Sequence, residues 1–226
     1  MNKHSVLVVA SHPDDEVLGC GGSIARHCAQ GDDVAVLFLA DGVAARSPGA
    51  ADQAAARRRR AAEAACGLLG VTDLTFLPYP DNQLDTVPLL QLAQEIENVV
   101  SRLRPAIVYT HHHGDVNIDH RRTHDAVITA CRPQPGFPVR RLLFFEVVSS
   151  TEWRPPNSLP PFAPQWFNDV SAFLPLKLKA LEAYAEEIRA YPHSRSIEAV
   201  EHLARWRGAS VGVGAAEAFE LGREIA

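Results

Sequence analysis

Residues 5–16 read SVLVVASHPDDE, and the first half of that stretch decides the fold. Ser5–Ala10 is an unbroken, largely β-branched apolar run with no polar alternation, the pattern of a strand covered on both faces. Working outward, Val17–Ala29 places apolar or small residues at Val17, Cys20, Gly21, Ile24 and Cys28 and stops at Gly31, a helical spacing with a glycine end. Val34–Ala40 repeats the buried-strand pattern. Ala51–Leu69, rich in Ala and Arg and closed by Gly70, reads as a second helix, and Leu74–Leu77 as a short strand. Val87–Leu103 lines up Leu90, Ala93, Ile96, Val100 and Leu103 on one face and ends ahead of Pro105, which disfavours further helix. Ala106–Thr110, Asp119–Cys131 and Leu142–Val148 continue as strand, helix and strand. Strands alternating with helices at this spacing predict an α/β fold: a Rossmann-like, doubly wound, mostly parallel sheet with helices on both faces.

From Ser149 the texture changes. Pro155, Pro156, Pro160, Pro161 and Pro164 mark an irregular stretch, followed by helical patterns over Leu176–Ala190 and Ile197–Arg207. Trp153, Phe162, Trp166 and Phe167 call for burial, which favours a loop packed on the core over a linker. Residues 1–226 are therefore expected to form a single domain, with a core at about 4–148 and a loop-and-helix elaboration over 149–226. The same aromatic stretch is also suited to a homo-oligomer contact.

The balance of 46% hydrophobic and 22% charged residues is that of a soluble globular chain and excludes long disorder. A net charge of −5 argues against binding nucleic acid by charge alone. No apolar run reaches the roughly 18 residues needed for a membrane span. The charged turn after Ala10 does not resemble a signal-peptide cleavage region. Cys20, Cys28, Cys66 and Cys131 include no CxxC pair, so a reducing cytoplasm is the expected home.

In an open parallel sheet, ligands bind beyond the carboxyl ends of the strands. The first strand ends in His12-Pro13-Asp14-Asp15-Glu16, and the fourth runs into a segment where five of the ten histidines fall between His111 and His124. Adjacent carboxylates repel by roughly 4 kcal/mol per close pair at an effective dielectric near 20. A helix N-terminus returns only about 0.3–1 kcal/mol per group. A bound cation is the natural compensation, although acidic residues at a helix start also serve as caps. His12 and Asp15, three apart on a loop entering a helix, can share one ion, with Asp14 turned toward a water or a neighbour. His120, at the start of a helix, would complete a three-ligand site with a fourth position for water, the arrangement of catalytic zinc. Two of His111, His112 and His113 are expected to be solvated. Neither HExxH, G-x-S-x-G nor a full G-x-G-x-x-G is present.

Ala10–Gly22 (ASHPDDEVLGCGG) resembles the first motif of the PIG-L/LmbE-like deacetylases, and Asn117-Ile118-Asp119-His120-Arg121 is similar to their second, H-x-D-H. The resemblance implies an LmbE-like fold and a zinc-dependent hydrolase, with one Zn2+ per chain, that removes acetyl from an N-acetylated amino sugar or its conjugate. It implies His12, Asp15 and His120 as zinc ligands and Asp14 as general base. Asn117 stands where the family often has histidine; an amide can donate to an oxyanion but cannot act as a general acid. That leaves Asp14, His113 or His124 for the acid step. The resemblance further implies that Asp119 orients a ligand or a neighbour, with a helix N-cap role as the alternative, and that Arg58, within Arg57-Arg58-Arg59-Arg60, reaches the substrate, the other three arginines being solvated. Trp153, Trp166 and Trp206 are expected in the core, with sugar stacking as the alternative. Other functions compatible with these residues are cleavage of a different amide, such as a thiol-sugar conjugate, and a sugar- or nucleotide-binding module with a structural metal. A Rossmann-type oxidoreductase is the remaining possibility, disfavoured because the acidic insert takes the pyrophosphate position.

Overall fold

The computed structural model describes residues 3–42, 51–155 and 157–226; Pro156, one of the prolines named above, lies outside them. The elements in chain order are β1 (Ser5–Ala10), α1 (Asp15–Ala29), β2 (Asp33–Ala40), α2 (Ala51–Leu69), β3 (Asp73–Tyr79), a 3-10 turn (Leu84–Thr86), α3 (Leu89–Leu103), β4 (Ile107–His111), α4 (Ile118–Ala130), β5 (Arg141–Phe145), β6 (Trp166–Asp169), α5 (Leu174–Glu182), α6 (Ile197–Ala209) and β7 (Ala216–Glu224).

The strands form one sheet in the order β3-β2-β1-β4-β5-β7-β6. β1 to β5 are mutually parallel, whereas β7 runs antiparallel to both β5 and β6. β1 is central and buried on both faces, as its composition requires. Val6, Val8 and Ala10 pack toward α1, α2 and α5, and Leu7 and Val9 toward α3 and α4. Each of the valines and the leucine among them contributes about 1.5–3 kcal/mol of burial. The chain leaves β1 for β2 on one side, while β4 adds on the other. The strand order therefore reverses at the carboxyl ends of β1 and β4 and opens a crevice there. Gly19 allows α1 to lie close to the sheet: a Cβ on it would stand 2.3 Å from the Phe145 ring of β5.

Three expectations need correction. The segment after residue 148 is not only loop and helix, because β6 and β7 extend the sheet from it. The helix predicted at Leu176–Ala190 ends at Glu182; beyond it Tyr184 and Glu187 turn inward to meet Glu16 and Arg58, and those contacts outweigh helix propensity. Trp153 and Trp206 are 55% and 68% exposed rather than in the core. Trp153 lies against the His193 ring, while Trp166, Phe162 and Phe167 are half-buried. Among the described residues no helix is long and apolar enough to cross a membrane.

Candidate metal centre

The crevice is built from both sides of the switch point. The loop after β1 supplies His12 and Asp14, and the first turn of α1 supplies Asp15. The start of α4 supplies Asp119 and His120. Asp14 sits at φ 127°, ψ −28° without capping the helix through its side chain. That conformation costs a non-glycine residue about 1–3 kcal/mol and points to a site where side-chain direction matters more than local comfort.

One ligand atom from each of His12, Asp15 and His120 lies within 4.8 Å of the others, and all three side chains are buried. His12 Nδ1 is 3.3 Å and His120 Nε2 3.4 Å from Asp15 Oδ2. The far nitrogen of each imidazole faces a carboxylate. His12 Nε2 is 3.0 Å from Asp119 and 3.1 Å from Asp81, and His120 Nδ1 is 3.1 Å from Asp115. Such partners hold the ring and leave the near nitrogen's lone pair for a metal. They are themselves anchored: Asp119 accepts the N–H groups of Asn82 (2.6 Å) and Leu84 (2.9 Å), and Asp115 accepts Thr151 Oγ1–H (2.7 Å), Ser150 Oγ–H and Asn117 N–H (2.8 Å). Asp15 Oδ1 and His120 Nε2 are buried without a hydrogen-bond partner, although such groups are rarely left so. A cation shared by these atoms fits that donor set.

The electrostatics agree. Burial opposes a charged His120, but the Asp15 and Asp115 carboxylates overcome it and hold the ring up at about 9. Burial likewise raises Asp15, yet the surrounding imidazoles bring it well below the usual carboxylate range. The pocket thus favours positive charge at its centre. Glu16, the third acid of the run, is not part of it. It turns into the core, accepts the Tyr184 hydroxyl at 2.5 Å, and is pushed up to about 7 by burial.

Asp14 is held by two guanidinium groups, Arg58 at 3.1 Å and Arg195 at 3.2 Å, both on its Oδ2. Burial raises its carboxyl above the ordinary value, against the pull of both arginines. Arg58 is the one buried member of its run, and its fork is spent on Asp14, Glu187 and the Pro13 carbonyl. Arg57, Arg59 and Arg60 are exposed.

The remaining candidates lie elsewhere. Asn117 caps α4, its side-chain oxygen accepting Asp119 N–H at 2.8 Å. His124 donates to the His111 carbonyl and packs on Phe144. His113 lies beside Glu220 and His112. The structure brings neither of these histidines into the group formed by His12, Asp15 and His120. Contrary to expectation, His111 and His112 are both buried. β4 extends as far as His111, whose Nε2 accepts Ser11 N–H and whose ring stacks on His120 at 4.0 Å. Asp115, His111 and Arg195 were missed as site residues. A histidine run and an acid ahead of α4 were visible signals for the first two; Arg195 lies in the Pro192-His193-Ser194-Arg195-Ser196 segment, whose pattern is similar to one branch of the family, but nothing in the sequence tied it to Asp14, 181 positions away.

The fold and the site together define a doubly wound α/β protein that gathers buried imidazole and carboxylate donors at its switch point. The PIG-L model, described as GlcNAc-PI de-N-acetylase, matches residues 7–131, more than half of the chain, and the protein belongs to that family. A probable N-acetyl-alpha-D-glucosaminyl L-malate deacetylase 2 of Bacillus anthracis is 28% identical over 194 residues, covering 82% of each chain. The crystal structure of the conserved protein TT1542 from Thermus thermophilus superposes with a TM-score of 0.77 at 29% identity, over 99% of this chain and 96% of that one. GalB, the 4-carboxy-2-hydroxymuconate hydratase of Pseudomonas putida KT2440, superposes at 0.76 with 20% identity, over 99% and 98%. That last likeness concerns the fold alone.

Proposed function

We propose that this protein is a zinc-dependent N-deacetylase acting on an N-acetylated amino sugar or sugar conjugate, with acetate and the free amine as products. The observation that carries the proposal is the buried convergence of His12, Asp15 and His120 around unpartnered donor atoms, with Asp14 in the next position of the same loop. Fold likeness would not suffice, since one sheet hosts unrelated chemistries. Family membership and the Bacillus anthracis relative support the amide and the sugar.

His12, Asp15 and His120 would hold the ion, which when bound lowers the pKa of a water to about 7 and polarises the amide carbonyl. Asp119, Asp81 and Asp115 keep the two imidazoles in the ligating tautomer. Asp14 takes the proton of the attacking water, and burial, by raising its carboxyl, makes it a stronger base than a free aspartate. The same carboxyl then hands the proton to the departing amine, so no acid is required at Asn117. Arg58 and Arg195 fix its direction.

The test is acetate release from a panel of N-acetylated amino sugars and conjugates, run with metal analysis on the wild type and on Asp14→Asn. The expected result is turnover that a chelator abolishes and zinc restores, and an Asp14→Asn protein that keeps its zinc but loses at least roughly a hundredfold in rate. Activity that survives exhaustive chelation, or an Asp14→Asn enzyme of full activity, would overturn the mechanism. Zinc binding with amine release from a non-acetyl amide would move the substrate to another conjugate.

A further inference from the structure

His112, His113 and Glu220 take no part in the centre above, yet they converge on the other side of the β4 end. His112 follows β4 directly, and its side chain leaves on the face opposite to that of His111, as successive residues of an extended chain do. Its ring is buried between two oxygen atoms: Nδ1 is 2.6 Å from Glu220 Oε2, and Nε2 is 3.2 Å from the Pro160 carbonyl oxygen. A neutral imidazole carries one N–H and cannot serve both. With Nε2–H given to Pro160, the Nδ1 lone pair meets a carboxylate, an arrangement satisfied by a second proton on the ring or by a divalent cation that takes the proton's place as the 2.6 Å gap opens.

Two further observations point the same way. His113 Nδ1 approaches the same Glu220 Oε2 at 3.9 Å from a side chain that is 41% exposed, adding a third donor and a path from solvent. All three ligand atoms lie within 4.8 Å of one another. In addition, a Cβ on Gly114 would stand 2.3 Å from the Pro160 oxygen and 2.4 Å from His112 Nε2. Only glycine lets the backbone close over the ring and pin its second nitrogen, the constraint that orients metal-bound histidine elsewhere.

We propose that His112 Nδ1, His113 Nδ1 and Glu220 Oε2 form a second divalent-cation site, separate from His12, Asp15 and His120. Two imidazoles and a carboxylate suit zinc and its neighbours better than magnesium or calcium. The half-exposed third ligand makes this the weaker and more exchangeable of the two sites. Its occupation clamps the Pro-rich segment to the sheet. Glu220 Oε1 also accepts Ala163 N–H at 2.8 Å, and His112 holds the Pro160 carbonyl. Pro160 lines, with Arg154, Phe162 and Arg207, a cleft of about 250 Å³. The ion therefore sets the wall of that cleft.

The experiment is equilibrium dialysis of the intact protein against increasing Zn2+, with bound metal counted by elemental analysis. His113→Ala, at a half-exposed position, should fold like the wild type and bind one equivalent fewer, with uptake at the lost step at least roughly tenfold weaker. Glu220→Gln should lose the same equivalent, and His12→Ala should keep it. The expected accompaniment is a rise in melting temperature at zinc concentrations above the first equivalent, absent from His113→Ala. Wild-type protein that saturates at one equivalent sensitive to His12→Ala, or a His113→Ala protein that matches the wild-type isotherm, would overturn the proposal. The count removed by His113→Ala decides the matter whether or not the first centre functions as a deacetylase.

Discussion

Helix α1 is broken, and its repair comes from far along the chain. At Cys20 the backbone leaves helical geometry (φ −147°, ψ 24°), which strands polar backbone groups on either side in the buried interior. Lys177 of α5 donates to the Leu18 carbonyl at 2.9 Å, and Glu217 of β7 accepts the N–H groups of Gly22 at 2.8 Å and Ser23 at 2.7 Å. Lys177 Nζ and Glu217 Oε1 are 2.6 Å apart, with both residues nearly inaccessible at 3% and 4%. Lys177→Met keeps the length of the side chain but removes the charge. It leaves the Leu18 carbonyl unpaired, at about 1–3 kcal/mol, and a buried carboxylate without its cation. Breaking a buried pair from one side costs about 3–5 kcal/mol in all, a large part of the roughly 5–15 kcal/mol a domain has. Glu217→Gln should cost a similar amount from the other side. The double variant should cost less than the sum, because neither charge is then left alone, with a coupling of about 0.5–3 kcal/mol. Urea unfolding at neutral pH measures all three. With m of about 1–3 kcal/mol/M, the Lys177→Met midpoint should fall by more than about 1 M. A loss below about 1 kcal/mol, or strictly additive single variants, would refute the account of the break.

Three further outcomes are expected. Gly19→Ala drives a methyl into the Phe145 ring and should cost about 1–3 kcal/mol or more, partly recovered by Phe145→Leu, as thermal unfolding would register. Asp119→Ala removes the carboxylate behind His12 and should weaken zinc binding about 10- to 100-fold in a competition titration with a chromophoric chelator; unchanged affinity would show that His12 does not need that partner. His27 is depressed below its ordinary value because burial outweighs the Asp32 carboxylate, and its neutral ring bridges Asp32 and the Tyr109 hydroxyl. The unfolded chain therefore takes up this proton at higher pH than the folded one. Stability should fall as pH drops below about 6.5 and stop falling once the folded ring is also protonated, with His27→Gln showing a flatter profile in urea midpoints between about pH 8 and 5.

Much of the centre was legible because its residues are local. His12 and Asp15 sit three apart where a buried strand enters a helix, and His120 opens the helix after the next central strand, so strand-end logic reaches them without coordinates. β6 and β7 were not legible. Trp166–Asp169 has only four residues, and Ala216–Glu224 is interrupted by Gly222 and carries Glu220, Arg223 and Glu224 toward the rim of the sheet. Neither carries the apolar run that marked β1 and β2. Trp153 departs from the expected burial for a related reason: aromatic character says that a surface is available for packing, and the His193 ring covers only part of it.

Periodicity, strand-end acids and histidine positions are properties of neighbouring residues, and they determined the parallel core, the switch point and the three converging donors. The partners that set the behaviour of those donors are decided elsewhere in the chain. Asp119 and Asp81 lie behind His12, Asp115 lies behind His120, and Arg195 faces Asp14. Lys177 and Glu217 mend α1. Direction, burial and charge pairing depend on which surfaces meet once the chain is folded, and no local pattern encodes a meeting as distant as that of Asp14 with Arg195, 181 positions apart.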